Sequence, residues 1–159
     1  MYKATRDFIK AREKYCPGNL VVPRKVEKLG TGEPFKCFEN SRNFVAEKKT
    51  IGEKYVSLSG WVIKPYDKVN DSTEIIQHWW VGDGKGNHFD TSPYISDNEE
   101  YVLDFNIYNF AFENYEKIKS CVAMSLLYKG NKFYLLKNVD TMELEEIEEL
   151  RTEFLFKYL

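Results

Sequence analysis

No basic stripe runs through this chain. Its 23 Lys and Arg and 25 Asp and Glu are mixed along the length, leaving a net charge of −2. A duplex-binding protein neutralises many phosphates and gathers its cations on one face, so nucleic acid is not an expected partner. The aromatic residues have no basic groove beside them to make a single-strand site. Long apolar runs are missing as well. No stretch approaches a membrane span, which argues against a membrane partner. Charges in Met1–Tyr15 break every apolar run before the length a signal peptide requires. There are only three cysteines, Cys16, Cys37 and Cys121, and their odd number and irregular spacing argue against a disulfide framework. A reducing compartment, the cytoplasm by default, is therefore expected, and there a free thiolate persists as a nucleophile. Repeats, low-complexity tracts and linkers are absent, so 1–159 reads as a single soluble domain.

What is present suits a globular core. Hydrophobic residues make up 43% and charged residues 30%, with 11 Tyr, 11 Phe and 3 Trp. Aromatic side chains bury large areas, and a domain of this size folds without a metal or disulfide.

The pattern is that of an α+β chain. Residues 4–15 are amphipathic and stop at Pro17-Gly18. Residues 36–49 read as a second helix, with Phe38, Ser41 and Val45 on one face and Cys37 in the first turn. Lys54–Tyr66 reads as a strand with an irregularity at Gly60. Glu74–Val81 and Asn87–Ser92 read as a hairpin around Gly82-Asp83-Gly84-Lys85-Gly86, a loop without the Gly-Lys-Ser/Thr ending of a phosphate site. Tyr101–Tyr108 alternates as a strand. Residues 112–127 fit a helix, while Val122–Tyr128 fits equally a strand paired with Phe133–Leu136. Asp140, with Glu143 in capping-box position, predicts a final helix. Its Leu144, Ile147, Leu150, Phe154 and Tyr158 would face the core, and its glutamates would form a solvated face.

Cysteine catalysis needs a thiol that ionises near neutral pH, a base, and a group that orients the base. Cys37 meets the first need by position, because a helix N-terminus favours thiolate and its N–H groups can hold an oxyanion. His78 and Asp90 meet the others. If the hairpin turns on Gly84, then Val81 faces Asn87, Trp80 faces His88 and His78 faces Asp90, on one side of the sheet. Trp80 shares that side and would wall a substrate cleft. Asn40, one helical turn from Cys37, would support the site.

Plainer readings stand beside these. A cysteine in an amphipathic helix is commonly a small core hydrophobe, as Cys16 and Cys121 are expected to be. His78 between Gln77 and Trp79-Trp80 suits packing on aromatics, Asp90 suits a strand end or Asx-turn, and His88 suits an exposed bystander. Cys37, His78, His88 and Asp90 include zinc-ligand types, but at no recognised ligand spacing.

Three pieces, KCFENS at 36–41, IQHWW at 76–80 and NHFDTSP at 87–93, run as Cys on a helix, His on a strand, acid on the next strand. This order resembles the papain-like superfamily in its transglutaminase-like and cell-wall-peptidase-like branches, over roughly residues 30–95. KCFEN is also loosely similar to the Cys-Phe-Glu segment of arylamine N-acetyltransferases. The resemblance implies an antiparallel sheet packed against the helix that carries the nucleophile. It implies Cys37 as nucleophile, His78 as base and Asp90 as its orienter, with no cofactor. The expected function is a hydrolase or acyltransferase acting on a peptide, protein or small acyl substrate. The alternative is a non-catalytic interaction protein, of the kind a virus or mobile element uses to bind a host protein through an aromatic-rich scaffold.

Overall fold

The computed structural model describes residues 1–93, 97–118, 124–138 and 140–158. The elements run α1 (Lys3–Glu13), β1 (Leu20–Val21), β2 (Val26–Lys28), α2 (Cys37–Thr50), β3 (Val56–Ile63), β4 (Thr73–Gly82) and β5 (His88–Asp90). They continue with β6 (Glu100–Asp104), α3 (Phe105–Glu113), α4 (Tyr115–Ile118), β7 (Ser125–Lys129), β8 (Lys132–Asn138), β9 (Glu143–Ile147) and α5 (Thr152–Leu155). This is a mixed α+β architecture with one mostly antiparallel sheet, ordered β1-β6-β3-β4-β7-β8-β9. Short β5 continues from β4 and pairs in parallel with β2. Among the described residues no helix is long and apolar enough to cross a membrane.

Strand periodicity sorts the side chains onto two faces. Trp61, Ile63 and Ile75 lie on one, packed with Phe8 of α1, Ile107 of α3 and Leu155 of α5 in the main core. The other face carries Val62, Trp80, Tyr101 and Leu103 as a second cluster. Helix α2 packs on the first face, with the Ser41 hydroxyl 2.7 Å from that of Ser57.

Several sequence expectations change. Gly60 is no irregularity: it pairs with His78 on one side and Leu103 on the other. It is needed because a Cβ there would fall 2.0 Å from the Val102 carbonyl oxygen and 2.8 Å from the Trp80 ring. The strand expected over Tyr101–Tyr108 ends at Asp104, whose carboxylate accepts from the N–H groups of Asn106 and Ile107 and so starts α3. Within 112–127, α3 ends at Glu113, α4 follows, and the chain is a strand from Ser125; Cys121 and the rest of 119–123 lie outside the described residues. The expected helix from Asp140 is instead β9 followed by the short α5. Asn138 decides this, since its side-chain oxygen accepts from the N–H groups of Asp140 and Thr141 and turns the chain back into a β8–β9 hairpin. Ile147, Leu150 and Leu155 are buried, while Leu144, Phe154 and Tyr158 are exposed.

The β4–β5 hairpin also differs in register. Val81 pairs with Phe89 and Gly82 with His88, so the turn is centred on Lys85, and neither Val81 with Asn87 nor Trp80 with His88 is a register pair. Asp83 fixes this wider loop by accepting from the N–H groups of Lys85 and Asn87. The slip is two residues, and side chains alternate with a period of two. Asp90 therefore stays on the face of His78, displaced diagonally rather than directly opposite.

Candidate active site

Strand β4 is paired along one edge with β3 from Ile75 to Gly82. On its other edge β7 covers Thr73–Ile76 and β5 covers Val81–Gly82. The Gln77 N–H bonds to the Met124 carbonyl. Between these partners the strand carries His78, Trp79 and Trp80, and here the first turn of α2 arrives. Phe38 packs edge-on against Trp79, with ring centroids 4.7 Å apart, and Cys37 packs on the same cluster. Cys37 also lies beside His78, whose side chain points to the opposite face, and lines the same cleft. Cys37 thus packs on the Trp79 cluster of one face and lines the cleft of the other, which places it at the open edge of the sheet.

The segment before α2 is tied to the strand that carries the acid. Strand β2 pairs Lys28 with Asp90. Beyond it, Leu29 N–H donates to the Asp90 carbonyl at 2.9 Å and Gly32 N–H to the Thr91 carbonyl at 2.8 Å. Asn40 reaches back from α2, accepting from the Glu33 N–H at 3.0 Å and donating to the Glu33 carbonyl at 2.8 Å. Nucleophile helix and acid strand are therefore held together through the 29–33 loop.

The imidazole lies between thiol and carboxylate. His78 Nε2 is 2.9 Å from Asp90 Oδ2, so Nδ1 is the nitrogen that the acid does not engage. Burial, the largest influence, pushes the His78 pKa down, but the bond to Asp90, the charge of that carboxylate and the neighbouring Cys37 outweigh it and raise it from 6.5 to about 10. For Asp90, burial pushes upward and is outweighed by the bond and charge of His78, by Tyr101 and by the Ser92 N–H, so its pKa falls below 3.8. Tyr101 donates its hydroxyl to Asp90 Oδ2 at 2.5 Å, and Ser92 N–H donates to Oδ1 at 2.9 Å. Helix α2 begins with no side-chain cap from Lys36, which leaves first-turn N–H groups without a capping oxygen from that residue.

Cys37, His78 and Asp90 all line one cleft of about 510 Å³, on the face of β3, β4 and β7 that carries Val62, Ile76 and Ser125. The sequence-read trio is brought together. Trp80 and Asn40 are not among the cleft lining. Trp80 is fully buried, because its indole turns into the second cluster and donates Nε1 to His88 Nδ1 at 3.0 Å. It backs the imidazole, with ring centroids 6.3 Å apart, and cannot wall a substrate. Asn40 spends its amide on Glu33. His88 is the partner of Trp80 rather than an exposed bystander, and burial lowers its pKa. Cys16 is buried, with its pKa raised first of all by that burial.

Sequence reasoning missed Tyr101 and Phe35. Tyr101 reaches the site only because β6 pairs with β3 in a register that sets it beside Val62, and no local signal encodes that. Phe35, in the loop ahead of α2, lines the cleft; the Pro34-Phe35 pair just before the nucleophile was its one visible mark. Compared with family models, curated proteins and solved structures, the chain matches none.

Proposed function

We propose that this chain is a cysteine-dependent hydrolase or acyltransferase acting on an amide, ester or thioester. We also read it as a small, divergent member of the papain-like superfamily, in its transglutaminase-like and cell-wall-peptidase-like branches. The observation that carries the reading is an imidazole bonded to a buried carboxylate with a thiol beside it, all three groups on one cleft. The order of helix with Cys, strand with His and strand with Asp supports the superfamily. A free-thiol enzyme of this kind suits the cytoplasm.

In this scheme Cys37 Sγ gives its proton to His78 and attacks the carbonyl carbon while first-turn N–H groups of α2 take the developing oxyanion. As the tetrahedral species collapses, the carbon–leaving-group bond breaks, and His78 gives its proton to the departing amine, alcohol or thiol. The thioester left on Cys37 is then attacked by water or an amine, which yields its proton to His78, and the thiolate is released. Asp90 holds the imidazole in orientation throughout and balances its charge.

The test is the rate of iodoacetamide labelling at Cys37 between pH 5 and 9. A thiol of ordinary acidity slows by about two orders of magnitude from pH 8 to pH 6. Cys37 is expected to lose far less than that, and His78→Ala to restore the ordinary slope. If native Cys37 resists labelling throughout, or labels with the same profile in His78→Ala, the catalytic reading fails and the search turns to binding partners.

A further inference from the structure

Phe35 is 91% exposed and has a backbone φ of 60°. Each property is costly for a large aromatic residue. An L side chain in the left-handed region is strained, and a bulky residue there is an outlier that calls for explanation. Folding supplies none, because glycine would adopt this φ freely and so exposed a side chain contributes little burial. Its place does supply one: Phe35 lines the cleft two positions before Cys37.

The rest of the cleft says what the aromatic ring would meet. Pro34, Val62, Ile76 and Pro93 give it apolar surface. Its Lys and Glu residues are paired with one another, Lys28 with Glu99 at 2.8 Å and Lys64 with Glu74 at 2.9 Å. A charged substrate group would have to break one of these pairs, whereas a neutral apolar group gains burial without doing so. A volume of about 510 Å³ lies in the ordinary range of small-ligand sites.

We propose that the cleft accepts a neutral, apolar acyl group and that Phe35 is its specificity-determining residue. The proposal rests on the cysteine-acyl reading above. In that complex the acyl carbonyl sits at Cys37, and the apolar part of the acyl group lies between Phe35 and the face carrying Val62 and Ile76.

The experiment compares alkylation of Cys37 by three chloroacetamides: the parent compound, its N-phenethyl derivative and N-chloroacetylglycine. In each case the sulfur–carbon bond forms as carbon–chlorine breaks and chloride leaves. Every rate is divided by the iodoacetamide rate of the same protein. In wild type the phenethyl compound is expected to exceed the parent by about ten-fold, the scale of one well-filled apolar contact, and the anionic glycine compound is expected to show no gain. In Phe35→Gly the phenethyl advantage is expected to collapse to within about two-fold, with the melting temperature no lower than wild type. Equal normalised rates in wild type, a preference for the anionic compound, or a Phe35→Gly protein that keeps its selectivity or melts well below wild type would overturn the proposal. If iodoacetamide itself does not label native Cys37, the underlying reading fails first, and the specificity proposal falls with it.

Discussion

At His78 burial and charge pull in opposite directions, and the outcome makes a pH-dependent contribution to stability. The folded pKa is raised from 6.5 to about 10. The charged imidazole therefore stabilises the fold fully below pH 6.5, and that contribution is lost as the pH rises through about 10. Asp90 runs the other way. Its folded pKa is below 3.8, so its contribution is present above 3.8 and lost as the pH falls through the depressed value. The pair is thus worth most between these limits. Asp90→Asn is expected to cost about 2 kcal/mol in that window, the scale of a hydrogen bond to a charged group. The deficit against wild type should narrow toward pH 10, as read by urea denaturation across the range. A deficit that stays flat with pH would mean the carboxylate acts only as a neutral acceptor. That these two residues meet was legible from parity, because a hairpin that slips by two residues still presents the same side chains to the same face. The role of Tyr101 was not legible, since a hydroxyl from β6 enters only when β6 has found its register on β3.

At the scale of elements, the loop before α2 governs where the thiol sits. Gly32 is the tightest point, because a Cβ there would come within 2.4 Å of both the Thr91 carbonyl oxygen and the Asn40 amide. Backbone cannot yield as a flexible side chain does, so Gly32→Ala is expected to push the loop off β5. The cost should be about 1–3 kcal/mol, in the range of an overpacked site, and Cys37 labelling should become less dependent on His78. Thermal melts and the labelling profile together check this. Helix α2 itself was readable from its first turn to its last, because one apolar face and its terminal lysines all act locally. The C-terminal region was not. Leu144, Ile147 and Leu150 fit a helical stripe, yet Asn138 turns the chain and β8 offers β9 an unpaired edge. Sheet pairing overrode a local pattern that fits helix. Four exposed glutamates, at 143, 146, 148 and 149, remain solvated in or beside that edge strand, where charge discourages pairing with another chain.

Across the whole molecule, Arg12 holds distant parts of the chain together. Its guanidinium is fully buried and bonds to the Asp104 carboxylate at 2.9 Å, the Leu150 carbonyl at 2.6 Å and the Thr152 hydroxyl at 2.6 Å. Asp104 also accepts from the Trp61 indole at 2.9 Å and caps α3. One network therefore links α1, β3, the β6–α3 junction and the C-terminal segment. Removing one partner leaves a buried charge uncompensated, so Arg12→Met is expected to cost about 3–5 kcal/mol. The urea midpoint should fall accordingly, whereas exposed Arg6→Met should change stability by less than about 0.5 kcal/mol. A midpoint for Arg12→Met within that smaller range would show that α1 docks through Phe8 and its apolar neighbours alone.

The amino-acid sequence by itself determined the α+β character, the helix that begins at Cys37, the β4–β5 hairpin, and the face shared by His78 and Asp90. These follow from periodicity, turn chemistry and parity, which act over a few residues. Tertiary structure alone decided the final strand in place of a helix, the buried Arg12–Asp104 network, the turning of Trp80 and Asn40 away from the cleft, and the presence of Tyr101 and Phe35 at it. Each of these depends on a partner far along the chain or on the packing of neighbouring segments, and local pattern holds no record of which partner that is.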